Sequence, residues 1–279
     1  MIKKIDGFSP NVISNSGQCF RMEEYDKNKY EVVAFEKVLR INELSHNEFD
    51  FDCDSKEFDD IWISYFDIER NYTDELIFID KDDTYLKNAV KFGYGMKILR
   101  QDKFEMLISY LISQRKSIPA IKKCINAICQ KAGKKIGKSK LDNSEIYSFP
   151  DAVSLNSLSD YDLSGCMLGY RDKYIRANAR DVSYGILDLN ALDSMNSNDL
   201  VDRLMKQFGV GIKVASCIAL FAYHRLNVFP IDVWIKKIID REYNGEYPGK
   251  NSVNQENYLK YAGILNQYMF YYERLKDKK

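Results

Sequence analysis

This sequence has few histidines and no closely spaced cysteine pairs. It also lacks long apolar runs and a net charge. Its 279 residues include two histidines and six scattered cysteines with no Cys-x-x-Cys pair. The first scarcity excludes a histidine-rich metal centre, and the second argues against a zinc or iron–sulfur site. No apolar run approaches the roughly 20 residues that cross a bilayer, and the first residues lack the apolar centre of a signal peptide. We therefore expect a cytoplasmic protein that has no membrane partner and binds no metal or cofactor.

The 41 basic and 41 acidic residues cancel, so the charge of the whole chain does not favour a polyanionic partner. Any surface for nucleic acid must therefore be local. One local run exists, because residues 115–140 contain nine Lys or Arg and no Asp or Glu. Such a run is as often a solvated face as a binding surface, and both interpretations stay open at this point.

Two halves of the chain have different hydrophobic patterns. In residues 11–54 short alternating segments are separated by polar turns, which predicts antiparallel strands near 18–22, 30–35 and 38–41. From Asp83 onward apolar residues recur at helical spacing.

The sequence therefore predicts an α+β fold of about 280 residues with more than one subdomain. An N-terminal antiparallel β-sheet domain, residues 1–85, would pack on two mainly α-helical subdomains within residues 86–279. We expect central helices in 102–243 and C-terminal helices in 251–275 that pack back on them.

A glycine-flanked hinge interrupts two apolar helical patterns in the second half of the chain. Gly209 and Gly211 flank Val210, and glycine is used where φ is positive or where another backbone comes close. The pattern predicts a helix–hairpin–helix motif over residues 199–223. Polar residues at 196–199 supply the N-cap of its first helix, which we expect to end at Phe208. Backbone N–H groups of such a turn, at the start of a helix, bind phosphate oxygens without reading the sequence of bases.

One lysine and one aspartate stand at predicted helix starts close to this hinge. Lys213 lies in a first helical turn, where the helix dipole disfavours an ammonium charge, and the rest of that helix is apolar. Asp232 follows Pro230 at the next helix start, where the same dipole favours a carboxylate. An uncharged amine can attack an electrophilic carbon to form a Schiff base, and a carboxylate can stabilise the positive charge that develops. The alternative is that Lys213 is an ordinary surface or phosphate-binding lysine.

The chain resembles the helix–hairpin–helix DNA glycosylases, and most closely the 8-oxoguanine DNA glycosylase/lyases. The matching motifs, in chain order, are Ser16-Gly17-Gln18-Cys19-Phe20-Arg21, Leu99-Arg100-Gln101-Asp102, Leu168-Gly169-Tyr170-Arg171, Gly209-Val210-Gly211-Ile212-Lys213-Val214-Ala215 and Phe229-Pro230-Ile231-Asp232-Val233. Together they cover nearly the whole chain.

The resemblance implies a function and a set of roles. The activity would be removal of 8-oxoguanine from duplex DNA by base flipping, with strand nicking by β-elimination, in a monomer that is nucleoid-associated if prokaryotic. Lys213 would be the nucleophile and Asp232 would stabilise the charged sugar. The damaged base would be recognised by Gly17, Cys217, Asn266 and Phe270. The opposite base and the wedge would involve Arg115, Tyr170 and Arg171, and the DNA backbone would be bound by Gly209, Val210, Gly211 and Trp234.

Several positions depart from the family pattern. Arg115, Lys116 and Ser117 replace a run of asparagines, and Ala120 stands where an arginine facing the opposite cytosine is often found. Other replacements are Asn266 for a glutamine, Trp234 for a histidine and Met22 for a tryptophan. Two alternatives therefore stay open: a glycosylase for other damaged purines, such as alkylated ones, and a non-catalytic DNA-binding protein that uses the hairpin and residues 115–140.

Overall fold

A five-stranded antiparallel sheet forms the N-terminal part of the computed structural model, which describes residues 1–278. The strand order is β1-β5-β4-β3-β2. The strands are β1 Ile2–Lys4, β2 Met22–Asp26, β3 Lys29–Ala34, β4 Lys37–Ser45 and β5 Glu48–Phe51. One face of the sheet is fully buried at Val32 and Leu39, which lie opposite each other, and at Phe51. Trp62 and Phe66 cover that face from the helical turns that follow. These turns are α2 Ser55–Glu57, the π-helical Phe58–Trp62 and α3 Ile63–Tyr65.

The strand predicted at residues 18–22 is wrong, because β2 begins only at Met22. The backbone at Gln18 is irregular, and both its carbonyl and its side chain bind a different segment. Gln101 Nε2 donates to the Gln18 carbonyl at 2.9 Å, and the Gln18 amide bonds Lys97 O and Leu99 N, each at 2.8 Å. Helix α1, Pro10–Asn15, and strands β1 and β5 were not predicted.

Helices make up the remainder of the fold, apart from a small β6–β7 hairpin, Lys135–Lys138 with Glu145–Tyr147. They are α4 Tyr72–Glu75, α5 Thr84–Phe92, α6 Lys103–Ser113, α7 Ile118–Ala132, α8 Ala152–Asn156, α9 Asp160–Ser164, α10 Asp172–Ser183, α11 Ser197–Met205, α12 Ile212–Phe221, α13 Val233–Glu242, α14 Gln255–Lys260 and α15 Ala262–Leu275. Short 3₁₀ turns occupy Gly169–Arg171, Ala191–Ser194 and Lys276–Lys278. The α+β fold is confirmed.

The helix–hairpin–helix consists of α11 and α12, which contact each other. Asn196 caps α11 by accepting from Asp199 N at 3.0 Å, as its side chain predicts. The helix ends at Met205, whereas the sequence predicted that it would continue to Phe208. Helix α15 packs back on α5 and α13, so the C-terminal helix reaches the start of α13.

Two buried clusters form the core. One lies under the sheet and contains residues from the first 66 positions together with Leu99. The other extends through the helices and also takes in Val12 and Phe20. The domain boundary between residues 85 and 86 stays a prediction. Within residues 1–278 no helix has both the length and the apolar character needed to cross a membrane.

Candidate active site

A small cavity of about 50 Å³ gathers the residues predicted for catalysis and base recognition. Five separate parts of the chain supply its walls: the loop after α1, helix α6, helix α12, the segment that leads into the start of α13, and helix α15. Its lining includes Gly17, Lys213, Cys217, Asp232, Asn266 and Phe270. All six residues predicted for the two roles therefore meet at one place.

Gly17 must be a glycine in this turn. Its φ is +80°, and a Cβ would lie 3.0 Å from Phe270 Cε1 and 3.1 Å from an Arg274 nitrogen. The turn is fixed from both sides, because Gln267 Nε2 donates to Ser16 O at 2.6 Å and the buried Gln18 binds the 97–101 segment. The Gly17 backbone is thus held rigidly beside Phe270.

Lys213 lies in the first turn of α12, whose residues from Val214 to Phe221 are buried. Its Nζ is 5.3 Å from the centre of the Tyr110 ring, and within residues 1–278 it forms no ion pair with a carboxylate. One turn further along, burial raises the pKa of the Cys217 thiol, although the charge and hydrogen bond of Lys213 oppose this shift. Cys217 is therefore a neutral, polarisable wall of the cavity.

Asp232 caps the start of α13. Its Oδ1 accepts from Trp234 N at 2.9 Å and from Ile235 N at 2.8 Å. These two bonds use one carboxylate oxygen, while Oδ2 makes no hydrogen bond within the described part of the chain. The helix start thus fixes the orientation of Asp232 and favours its negative charge at the cavity.

Helix α15 supplies the opposite wall. Asn266 is buried, and its Nδ2 donates to Pro230 O at 2.8 Å, so one of its two amide N–H groups is already used. Its carbonyl oxygen remains as an acceptor. Arg274, one turn after Phe270, lies with its guanidinium carbon 5.0 Å from the centre of the Phe270 ring.

Sequence reasoning did not assign to the site five residues that line this cavity: Tyr110, Phe221, Pro230, Ile235 and Gln267. Tyr110 and Phe221 stack at 5.7 Å between centroids with an interplanar angle of 12°. The sequence did contain one feature that could have pointed to Tyr110 and Gln267: each places a polar group inside an otherwise apolar or aromatic helix, α6 and α15 respectively. That signal alone does not show which cavity a side chain lines.

The hairpin lies beside this cavity, and its two glycines differ. Gly209 has φ +86°, and a Cβ there would lie 2.4 Å from Cγ of Tyr174. Gly211 caps the start of α12 in an extended conformation, and a Cβ there would meet nothing within 4 Å. Large apolar side chains are exposed around the starts of α12 and α13, namely Phe208, Ile212, Ile231, Val233 and Trp234.

The residues predicted to face the opposite strand lie on two loops outside the cavity. Arg115 is exposed with φ +53°, and Tyr170 is 46% exposed. Arg171, in contrast, is only 6% exposed. Its guanidinium donates to Gln114 O, at 2.9 Å from Nε, and to Leu168 O at 3.1 Å, so in this structure it binds protein carbonyls. Gln114 Nε2 in turn donates to Gly209 O at 3.2 Å, which links the loops to the hairpin.

Three of the nine basic side chains in the run at 115–140 form ion pairs within the fold. Lys122 pairs with Glu23 at 2.8 Å, Lys134 with Glu36 at 2.8 Å and Lys135 with Glu145 at 3.0 Å. The first two pairs join α7 and the segment after it to the N-terminal sheet. A larger cavity, of about 130 Å³, lies behind this segment but contains none of the predicted site residues. We therefore assign the chemistry to the smaller cavity around Lys213.

A lysine in the first turn of the second hairpin helix and an aspartate capping the next helix, at one cavity beside the hairpin, define a DNA glycosylase of the helix–hairpin–helix class. The comparisons with known proteins narrow this class. A sequence model of the 8-oxoguanine DNA glycosylase N-terminal domain matches residues 1–107.

Solved and curated relatives agree with that match. The 8-oxoguanine glycosylase/lyase of Clostridium acetobutylicum, solved with double-stranded DNA containing cytosine opposite 8-oxoguanine, is 34% identical with a TM-score of 0.89, over 99% of this chain and 95% of that chain. A probable N-glycosylase/DNA lyase of Methanothermobacter thermautotrophicus is 30% identical over 217 residues, which is 71% of this chain and 65% of the relative. The N-glycosylase/DNA lyase of Saccharomyces cerevisiae is 29% identical over 188 residues, 63% of this chain and 49% of the relative. The chain thus matches about half to two thirds of the length of these curated relatives. It belongs to the 8-oxoguanine DNA glycosylase family.

Proposed function

We propose that the protein is a bifunctional DNA glycosylase/lyase that removes 8-oxoguanine from duplex DNA. The observation that carries this proposal is the single cavity that gathers Lys213 and Asp232 with the four predicted base-recognition residues. An amine and a carboxylate at one cavity beside a phosphate-binding hairpin supply the groups that nucleophilic removal of a base requires.

The reaction begins when the damaged nucleotide is flipped into the cavity. The amine of Lys213 attacks C1′ of the sugar, and the C1′–N9 bond breaks with its electron pair leaving on the base, which takes up a proton. The Asp232 carboxylate stabilises the positive charge that develops on the sugar. The adduct opens to a Schiff base, and β-elimination then breaks the bond between C3′ and its phosphate oxygen.

The damaged base is recognised by polar and apolar groups that line the cavity. The Gly17 carbonyl accepts from the N7–H that 8-oxoguanine has and guanine lacks, while Cys217 and Phe270 stack on the two faces of the base. Asn266 lines the cavity, and with one N–H bonded to Pro230 O its amide oxygen is the acceptor that it offers to the base. An acceptor suits the N–H donors on the pairing edge of a guanine-type base, which favours 8-oxoguanine over alkylated adenines.

The DNA is held by residues around the cavity. Backbone N–H groups at Gly209 and Gly211, together with Trp234, contact phosphates without base specificity. Val210 belongs to the same turn, but its N–H already donates to Gln207 O at 3.1 Å. Tyr170 is the wedge, because it is exposed on its loop beside Arg171. Arg115 faces the opposite strand, and Arg171 supports this loop through carbonyl bonds. Discrimination between opposite bases is therefore weak.

We infer the oligomeric state and the cellular location of the protein from this substrate. The enzyme acts as a monomer without metal or cofactor, and its partner is double-stranded DNA carrying a damaged base. It works in the cytoplasm, associated with the nucleoid in a prokaryotic cell, because the substrate is located there.

The test uses duplexes that carry 8-oxoguanine opposite each of the four bases, followed by borohydride reduction. The wild-type protein is expected to release the base and to form a covalent complex with all four duplexes. Lys213→Gln is expected to lose both, by about 10³-fold or more. Lys206→Gln is the matched control, since Lys206 is exposed in the same motif and does not line the cavity. Excision by Lys213→Gln at the wild-type rate would contradict the proposal, and a panel of alkylated purines tests the alternative substrate.

A further inference from the structure

One polar group in the cavity has no assigned role: the hydroxyl of Tyr110. Tyr110 lies on α6, is 3% exposed, and lines the cavity together with Gly17, Lys213 and Cys217. Its hydroxyl is buried and has no hydrogen-bond partner among residues 1–278. The residue therefore has a donor, inside the proposed base site, that the protein itself does not satisfy.

The packing of Tyr110 accounts for its ring but not for its hydroxyl. The ring stacks on Phe221, meets Phe20 edge to face at 5.7 Å, and lies under Lys213 Nζ. A phenylalanine would make all of these contacts. A buried hydroxyl without a partner costs free energy, so most such groups in folded proteins are bonded to something.

The protonation state of the hydroxyl indicates what kind of partner it needs. Burial raises the pKa of Tyr110 well above its usual value, and the neighbouring Cys217 adds to this shift. The group therefore stays protonated and can donate. The missing partner is an acceptor, which a ligand in the cavity that Tyr110 lines would supply.

We infer that the Tyr110 hydroxyl is a base-recognition donor that bonds an exocyclic carbonyl oxygen of the flipped purine. This inference rests on the proposed function and narrows its substrate class. Oxidised guanine carries two such oxygens, at C6 and C8, whereas alkylated adenine carries none. Tyr110 thus selects carbonyl-bearing purines, in addition to the selection made by the Gly17 carbonyl and the Asn266 oxygen.

The test is Tyr110→Phe, which removes the hydroxyl and keeps the ring. Three quantities are measured: the thermal midpoint, the single-turnover rate of 8-oxoguanine excision, and the rate of strand nicking at a preformed abasic site. We expect an equal or higher midpoint, excision slowed about tenfold by loss of one hydrogen bond in a preorganised site, and unchanged nicking, because an abasic site has no base to contact. Tyr223→Phe is the matched control, since its hydroxyl donates to Leu189 O at 2.9 Å outside the cavity; it should lower the midpoint and leave excision unchanged.

The outcomes distinguish a failure of this inference about Tyr110 from a failure of the proposed function. Excision by Tyr110→Phe at the wild-type rate overturns this inference alone. Equal slowing of excision and nicking also overturns it, because the hydroxyl would then act on Lys213 or on the fold and not on the base. A wild-type protein that excises no 8-oxoguanine overturns the proposed function, and this inference with it.

Discussion

The basic run at residues 115–140 and the helix–hairpin–helix around Lys213 both contain lysines, but their charges have different surroundings. In the basic run, Lys122, Lys134 and Lys135 pair with carboxylates of the sheet and of the β7 strand. In the hairpin helix, Lys213 faces a cavity and has no carboxylate within ion-pair distance among residues 1–278. The segment with the most positive charge thus has three lysines whose charges are already paired within the fold.

This difference shows why charge counted along a sequence is a poor guide to a binding surface. Lys122 and Lys134 pair with residues 99 and 98 positions earlier, so the pairing depends on how the sheet and helices pack. Exposed pairs of this kind contribute up to about 1 kcal/mol each, enough to help dock two parts of a fold. A helix start, in contrast, orients N–H groups and a cap through local geometry, which a short motif specifies.

After the loss expected for Lys213→Gln, the largest predicted effect comes from removing the negative charge of Asp232 while keeping the geometry of the site. Asp232→Asn should slow base excision by about 10²- to 10³-fold, because the carboxylate no longer stabilises the charged sugar. Asparagine caps helices as well as aspartate does, so the bonds to Trp234 N and Ile235 N should persist and the thermal midpoint should change little. Single-turnover kinetics and calorimetry check this. Base excision by Asp232→Asn at the wild-type rate would show that Asp232 takes no part in the reaction.

The second prediction compares the two hairpin glycines. Gly209→Ala should lower the free energy of unfolding by about 2–3 kcal/mol, since φ is +86° and the added Cβ would overlap the Tyr174 ring. Gly211→Ala meets no neighbour and should change stability by less than about 1 kcal/mol. Denaturant unfolding measures both values. Equal losses for the two variants would contradict the packing described around the hairpin.

The third prediction concerns an ion pair that holds the site together. Arg241 of α13 and Glu273 of α15 form two bonds of 2.8 Å, and they join the helix that Asp232 starts to the helix that carries Phe270. Glu273→Gln should cost about 1–2 kcal/mol of stability. Glu242→Gln, which loses an Arg241 contact within α13 only, should cost less.

The same pair predicts a dependence on pH. Hydrogen bonds from Arg241, then from Lys276 and Tyr85, lower the pKa of Glu273 from 4.5 to about 2. Because the pKa is lowered on folding, the stabilisation is fully present above about pH 4.5 and is lost as pH falls toward 2. Thermal midpoints across this range should therefore fall less steeply in Glu273→Gln than in the wild-type protein. Parallel curves would show that the pair does not titrate as described.

The smallest predicted effect tests the basic run directly. The variant with Lys122, Lys134 and Lys135 all changed to Gln should bind duplex DNA with nearly unchanged affinity and salt dependence. Loss of three phosphate contacts would lower the slope of log K against log salt by about 2.7, whereas we expect a change below about 0.5. A change in slope near 2.7 would show that these three lysines of the basic run bind DNA phosphates, which would contradict the difference drawn between the basic run and the hairpin.

Local signals predicted much of the fold. The cap at Asn196, the turn at Gly209 and the helical spacing of α6 depend on neighbouring residues, and the structure contains each of them. The strand expected at 18–22 was wrong because Gln18 bonds the 97–101 segment, a contact that no local pattern contains.

The candidate site was predictable to the extent that short motifs carry it. The motifs named Gly17, Lys213 and Asp232, and the structure brings these residues to one cavity. Tyr110 and Gln267 could not be assigned from the sequence, since their place depends on how α6 and α15 approach the loop after α1. The buried state of Arg171 depends in the same way on the loop at Gln114.

The most direct measurement locates the covalent bond itself. The wild-type protein is incubated with duplex DNA containing 8-oxoguanine, reduced with borohydride and digested, and the peptide that carries the sugar remnant is sequenced by mass spectrometry. We predict that the remnant is attached to Lys213. Attachment to another lysine, or to the amino group of Met1, would contradict the assignment of Lys213 as the nucleophile.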